Sequence, residues 1–474
     1  MFESTQSIVL SFIKNVTLID LSAKQVILQS PVIDLTLKKL TPGLLTCLHL
    51  LASDGATEKE LSQVVLQIDG TVALSRLYQW LQKFNQSCLL QRTVKVDSLS
   101  IATVVPISRY YQFQFKAVEP KQRFILSRFA YCRRQEDQIV LESPLAYAQV
   151  LVQDWRFAGL LHQLTQPLDC YELFERVAGF SESTIHLFVS LLQNLDLLTE
   201  ETVEVREKQS DTLNIWSFHE LLFHARSRVG RQISFFRQDN QSLINNHLLD
   251  VVKPQTADKG ISLCKAKIED LAMLDIPFTS VLEARKSIRT YDIQPITDRQ
   301  LGEFLYRTAR TKSITQTKEP RQISSRPYPS AGACYELELY ITINRCQNLD
   351  SGFYHYCPKN HQIHKVSNRS KSIGFLLQGA AEAANQNPED LQILIVIAAR
   401  FPRWITEYAS IMYSSTLKNV GVLYQTMYLV ATAMNLAPCA LSFGDSDLFA
   451  AATGTDYYSE TSVGEFLLGS KQAD

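Results

Sequence analysis

The chain repeats itself, and the repeat limits what its first 205 residues can build. Residues 25–32 read QVILQSPV and residues 138–145 read QIVLESPL. The same order of features follows each. In the first copy, 42–52 sets Leu45, Leu48 and Leu51 at helical spacing; in the second, 155–165 does so with Leu161 and Leu164. His49 and His162 fall at matching places. A shorter helical stretch comes next (TEKELSQVV, then CYELFERVA), then a longer one (ALSRLYQWLQKF, then TIHLFVSLLQNL). In the last, Ile185, Phe188, Leu192 and Leu195 keep the helical period. Each copy ends in a hydrophobic, β-prone tail. A strand hairpin, three small helices and a strand make a winged-helix-like unit. The pattern predicts two of them, residues 1–105 and 106–205.

Such units often bind DNA, but the charges argue against it here. Arg76 and Lys83 are the basic residues of one candidate recognition helix (73–84), and the other (184–195) has none. Nucleic-acid binding needs several cations on one face, and the formal net charge of the whole chain is -1. Docking of an extended peptide on an exposed strand edge is the better expectation. No apolar run reaches the roughly 18–20 residues that span a bilayer, so no membrane partner is expected. The start, MFESTQSIVLSFIKN, has no basic stretch ahead of its apolar run and carries Glu3, unlike a signal peptide. The nine cysteines include no C-x-x-C pair. They read as buried thiols in a reducing cytoplasm.

Residues 206–264 read as a connector with helical stretches. His219 and His224 lie five apart, which aims them about 140° from each other on a helix rather than at one metal. His355, Cys357, His361 and His364 cluster in GFYHYCPKNHQIHKV, but two strands around the turn PKN scatter them to different faces. No metal site is expected.

The chemistry is expected in residues 265–474. In RKSIRTYD, Arg285, Ser287 and Arg289 alternate, and in an extended segment they share one face. Two guanidiniums and a hydroxyl suit a phosphate or the polar edge of a heterocycle. Thr297 is placed to cap the helix that follows. Then comes RPYPSAGACYE (326–336), where stiffening prolines precede Ser330, Ala331, Gly332 and Ala333. Such a loop lets something flat approach the backbone. LELYITINR alternates like a half-buried strand, and LQILIVIAARF reads as a strand buried on both faces. A long helix, about 413–435, carries Gly421, Ala431 and Ala433 and leads to APCALSFGDSD. Neither a G-x-G-x-x-G after a strand nor a G-x-x-x-x-G-K-[ST] competes as a cofactor site.

This order of motifs (R-x-S-x-R, R-P-Y-P-S-A-G-A-x-Y-E-L-E-L-Y, a buried strand, a small-residue helix ending near SFGD) resembles the nitroreductase-like FMN enzymes. More narrowly, it resembles the azoline oxidases of ribosomal peptide biosynthesis, of the cyanobactin oxidase type. The repeated units and FHELLFHARSRVGR resemble the peptide-clamp modules and lead-in of that subgroup. The resemblance implies an α+β fold: a nitroreductase-like domain, an antiparallel sheet flanked by helices, behind two winged-helix-like peptide-clamp domains. It implies FMN, with Pro329, Ser330, Ala331 and Gly332 along the flavin ring. Arg285, Ser287 and Arg289 would then contact its phosphate and ring edge, and Ser442, Phe443 and Gly444 its other end.

The implied reaction is dehydrogenation of thiazoline or oxazoline rings in a heterocyclised precursor peptide, with O2 as acceptor. The subgroup carries a Lys-Tyr pair before the small-residue helix; here those places hold Glu407 and Tyr408. Tyr408, Glu407 and Tyr413 are therefore the catalytic candidates, and a Glu⁻ neighbour raises a tyrosine pKa where Lys⁺ would lower it. A homodimer with flavin at the subunit interface is implied, as is association with other peptide-modifying enzymes. Two other readings remain open. One is a general NAD(P)H-dependent flavin nitroreductase; the other is a flavin-fold module that recruits peptide without chemistry.

Overall fold

The computed structural model describes residues 6–22, 25–30, 33–96, 99–113, 118–119, 121–201, 211–228, 230–231, 250–254, 260–316, 322–367, 371–404, 411–442 and 444–473. They fall into two compact units, 1–238 and 239–474.

In the first unit the sequence repeat is a repeat of structure. The first copy contains strands β1 (Gln6–Phe12), β2 (Thr17–Ser22), β3 (Gln25–Gln29) and β4 (Leu35–Lys38). Helices Pro42–Ala52, Glu58–Asp69 and Leu74–Gln86 follow, then β5 (Leu90–Val96) and β6 (Leu99–Pro106). The second contains β7 (Phe124–Leu126), β8 (Tyr131–Gln135), β9 (Gln138–Glu142) and β10 (Ala148–Val152). Its helices are Arg156–Gln163, Cys170–Arg176 and Glu182–Asn194, and β11 (Leu198–Glu200) closes it. Even isolated backbone pairings recur: Leu10 bridges Ala56 in one copy, and Phe124 bridges Leu168 in the other. The middle helix of each copy starts with a capping box, Thr57 with Glu60 and Asp169 with Glu172, which satisfies N–H groups the helix cannot. Each copy has its own core, around Leu44, Leu61 and Phe84 in one and Phe157, Leu173 and Phe188 in the other.

The copies differ in how their strands are shared. β6 joins them: a six-stranded antiparallel sheet runs β1-β5-β6-β10-β9-β8. β2-β3-β4 and β7-β11 form small sheets of their own. The corresponding strands β2 and β8 both lie at sheet edges, and most of their residues are exposed.

In the second unit one antiparallel sheet carries the architecture. Its order is β12 (Ile261–Ser262), β17 (Gln362–Ser367), β16 (Gly352–Cys357), β15 (Leu337–Ile343), β18 (Ile393–Arg400), β20 (Glu460–Ser470) and β19 (Leu436–Leu441). A separate hairpin pairs β13 (Ser313–Gln316) with β14 (Gln322–Ser325). Helices Asp298–Ala309 and Met412–Ala433 cover one face through Phe304, Leu305, Leu423 and Met427. Helices Lys371–Ala384 and Ser446–Thr453 cover the other through Leu377, Ala381 and Phe449. Thr297 caps its helix with Gln300 as expected, and β18 is buried along its whole length.

Two expectations need correction. β15 is not half-buried: all seven residues are buried, because helices cover both faces of the sheet. Two of its polar side chains, Glu338 and Tyr340, are satisfied internally instead. The Glu338 carboxylate lies 3.0 Å from His355 Nε2 and accepts from Arg400 at 3.3 Å. Tyr340 O–H donates to Glu460 at 2.7 Å, and Lys253 Nζ donates to the same carboxylate at 2.6 Å. Nor are all nine cysteines buried: Cys132 and Cys264 are exposed and Cys346 is intermediate.

Candidate active site

The Ser330–Glu336 loop is specified by its backbone shape and by side chains on other elements. Gly332, Ala333 and Tyr335 all have φ between 45° and 58°, left-handed values that cost energy at the two residues with side chains. Side chains on other elements hold that shape. Asn419, on helix Met412–Ala433, accepts from Ala331 N–H at 3.1 Å and donates to Ser330 Oγ at 3.1 Å and to the buried Glu336 carboxylate at 2.9 Å. Ser330 Oγ also donates to Glu336 at 3.2 Å and accepts from Tyr335 N–H at 3.0 Å. From the other side, the buried Arg403 guanidinium donates to Cys334 C=O at 3.2 and 3.0 Å. Held from behind, the loop leaves Pro329, Ala331 and Gly332 exposed.

The same helix grips two further segments. Tyr428 O–H lies 2.7 Å from Ser287 Oγ and accepts from Ala440 N–H at 2.8 Å. Arg285 sits over the Tyr428 ring, 5.3 Å from its centroid. Ile288 N–H donates to Pro438 C=O at 2.8 Å, so R-x-S-x-R runs beside β19. Arg289 is exposed in the same stretch. Tyr424 O–H donates to Leu441 C=O at 3.2 Å, next to Ser442, and accepts from Glu465 N–H at 2.8 Å. Asn419, Tyr424 and Tyr428 thus tie together the three segments singled out in the sequence. Nine residues of helix separate the first from the last, about 13 Å.

Gly444 has a steric reason: a Cβ there would collide with the Glu465 carboxylate. Burial pushes the Glu465 pKa up to about 7, and a hydrogen bond with Ser462 pulls it partly back. Ser442 and Gly444 are exposed; Phe443 lies outside the described residues, as do Glu407 and Tyr408. Tyr413 is 45 % exposed, its ring 6.1 Å from Phe401. Burial, then the nearby Tyr457, pushes its pKa above the ordinary tyrosine value.

The histidine cluster of residues 355–364 is dispersed by the β16–β17 hairpin. His355 meets Glu338, while His361 Nδ1 lies 2.8 Å from Tyr356 O–H and its Nε2 2.9 Å from Cys264 C=O. His364 packs under Gly260.

The antiparallel sheet covered by helices on both faces, with this loop and the two segments beside it, is a nitroreductase domain. Residues 282–469 match the model described as Nitroreductase family. Ahead of it, residues 4–115 match the ThcOx helix turn helix domain and residues 124–233 match Cyanobactin oxidase ThcOx. The resemblance read from the motifs is thereby shown: the chain is similar to the cyanobactin oxidases, with a helix-turn-helix domain in front and a nitroreductase domain at the end. The cyanobactin oxidase and nitroreductase matches imply a flavin-dependent oxidoreductase, and the nitroreductase family usually binds FMN.

A protein of Methanocaldococcus jannaschii described as a nitroreductase is 27 % identical over 175 residues, 37 % of this chain and 83 % of its own length. Among solved structures, one from Ralstonia eutropha described as a nitroreductase has a TM-score of 0.36 at 18 % identity, covering 48 % of this chain and 96 % of that one. A chain of the E. coli microcin synthetase McbBCD complex, with truncated pro-MccB17 bound, has a TM-score of 0.34 at 17 % identity, covering 50 % and 82 %. In the described residues no helix is long and apolar enough to cross a membrane.

Proposed function

We propose that this chain dehydrogenates thiazoline or oxazoline rings of a ribosomally made precursor peptide to aromatic azoles, using FMN and passing electrons to O2. The observation that carries this reading is the convergence of the R-x-S-x-R segment, the Ser330–Glu336 loop and the Leu441 end of β19 on one helix, in a chain whose front half matches the cyanobactin oxidases. The residues present fit FMN. Arg285, Ser287 and Arg289 offer two cations and a hydroxyl for the phosphate and ring edge. Pro329, Ala331 and Gly332 offer an open wall, held rigid from behind, for a flat ring. Gly444 lies against Glu465 with no room for a side chain.

When bound, FMN supplies the hydride acceptor. A base of this chain takes the α-proton of the azoline, which the adjacent imine and carbonyl acidify, and the β-hydrogen leaves as hydride. One proton and one hydride are lost per ring. Tyr413 starts with its proton held more tightly than usual, which disfavours it as acceptor. Tyr408 and Glu407 are the better candidates. Arg403 and Asn419, which flank them in sequence, both grip the Ser330–Glu336 loop.

The peptide docks as an added strand on an exposed edge, and β2 and β8 offer such edges at corresponding places in the repeat. A second copy covers the apolar surface of helices Ile268–Leu274 and Phe278–Ala284. There Met273 and Leu274 are each 78 % exposed and Phe278 is 66 % exposed, more apolar surface than scattered single residues leave. The test is to incubate an azoline-bearing peptide with the protein and follow its mass. Loss of two hydrogens per ring supports the reading; a yellow protein that leaves the rings intact overturns it.

A further inference from the structure

The second unit holds a basic cavity that none of the proposed chemistry uses. It is an open pocket of about 390 Å³, lined by Lys265, Tyr306, Arg310, Thr311, Lys312, Pro358, Lys359 and His361. Three chain segments build it: the entry to helix Ile268–Leu274, the end of helix Asp298–Ala309, and the β16–β17 turn. The wall is fixed. Thr311 N–H donates to Pro358 C=O at 2.9 Å, and His361 is pinned between Tyr356 and Cys264. Arg310 lies over the Tyr306 ring at 4.6 Å and donates once, to Tyr306 C=O at 2.9 Å.

Among the described residues, four cations line this cavity and no carboxylate does. Among the described residues, none of the four is in an ion pair. Lys265, Lys312 and Lys359 are exposed, while Arg310 is half-buried. The bland account is that these cations complement the C-terminus of helix Asp298–Ala309. A helix end presents only about half a negative charge, and one Arg310 donor already answers it. That leaves most of four positive charges facing one space. The Thr311 hydroxyl, in the same wall, is buried without a hydrogen-bond partner. Burial lowers the His361 pKa, its hydrogen bond with Cys264 C=O pulls it partly back, and the Lys265 and Arg310 charges lower it, as a locally positive field should.

We propose that this cavity binds a small phosphate-bearing ligand. Lysine ammoniums and an arginine fork are the groups that recognise phosphoryl oxygens, and the Thr311 hydroxyl is a further donor for one of them. Four cations exceed what a single carboxylate needs, and the volume exceeds what one inorganic phosphate fills.

The test uses the full-length protein with saturating FMN, so that Arg285 and Arg289 are not the binders. Pyrophosphate, ADP and malonate are titrated by calorimetry at fixed ionic strength. Pyrophosphate or ADP should bind saturably, one per chain, and weaken as salt rises. ADP tighter than pyrophosphate identifies an organic ester as the ligand; equal affinities identify the inorganic anion. Lys312→Gln with Lys359→Gln, both at exposed positions, should weaken binding about tenfold or more. Lys38→Gln, an exposed cation of the first unit, should leave it unchanged. No saturable binding, equal binding by the Lys312→Gln/Lys359→Gln protein, or malonate binding as tightly as pyrophosphate would each overturn the proposal.

Discussion

Asn419 is the residue on which the candidate site turns. It serves an N–H, a hydroxyl and a buried carboxylate at once. Asn419→Ala removes one donor from Glu336 and the acceptor of Ala331 N–H, at a cost of about 1–3 kcal/mol. Urea denaturation should read that loss, and the variant should release flavin more readily than the parent; parental stability and flavin affinity would contradict the role. Glu465 makes a prediction in pH. Its folded pKa of about 7 lies above the ordinary carboxylate value, and burial is the main cause. The folded state therefore holds the proton more tightly than the unfolded chain. The stability this contributes is present below about pH 4.5 and lost as pH rises through 7. Glu465→Gln should flatten that fall and be the more stable protein at pH 8, by on the order of 1–3 kcal/mol. For Tyr408 the expectation concerns rate: Tyr408→Phe should lower kcat by about 10²–10⁴ with flavin absorbance intact, while Tyr413→Phe does much less. None of the roles of Asn419, Tyr424 and Tyr428 was legible in the sequence. Each depends on partners distant in sequence, as Ala331 is from Asn419, and no local period encodes such a contact.

At the scale of elements, the repeat was the most legible feature. Helical spacing located the six helices of the two repeat copies, because apolar periodicity reports the buried face directly. The sharing of strands through β6 was hidden, since a strand's sequence does not name its neighbour. β15 was misread for an instructive reason. Alternation of apolar with polar residues signals a solvated face only when the polar residues reach water. Here Glu338 and Tyr340 meet His355, Arg400, Glu460 and Lys253 inside the protein. Burial alone would raise the Glu338 pKa, but the His355 hydrogen bond and the neighbouring charges hold it down to about 2. Its stabilising contribution is present above the ordinary carboxylate range and lost as pH falls toward 2. The duplicated capping boxes allow an internal comparison. Thr57→Ala and Asp169→Ala should each cost about 1 kcal/mol in thermal or urea unfolding, one in each copy. A negligible cost at both would contradict their equivalence as caps.

Across the whole molecule, the proposed function gives each unit a task, peptide docking for the first and flavin chemistry for the second. Small nitro compounds and quinones need no peptide grip, whereas a ring embedded in a long precursor does. The proposed dimer rests on the exposed apolar helices of the second unit: the protein should sediment as a homodimer, and Leu274→Asp with Phe278→Asp should yield monomers that lose flavin. A parent that sediments as a monomer would contradict it. The cavity lined by Lys265, Arg310, Lys312 and Lys359 adds a phosphate-ligand site to the same unit. The central claim is the oxidation itself, and its most direct measurement is mass spectrometry of a thiazoline- or oxazoline-bearing peptide incubated with the flavin-loaded protein in air. The account predicts a loss of two hydrogens for each azoline ring, with FMN as the flavin released on denaturation. Flavin-loaded protein that leaves the peptide mass unchanged would contradict it.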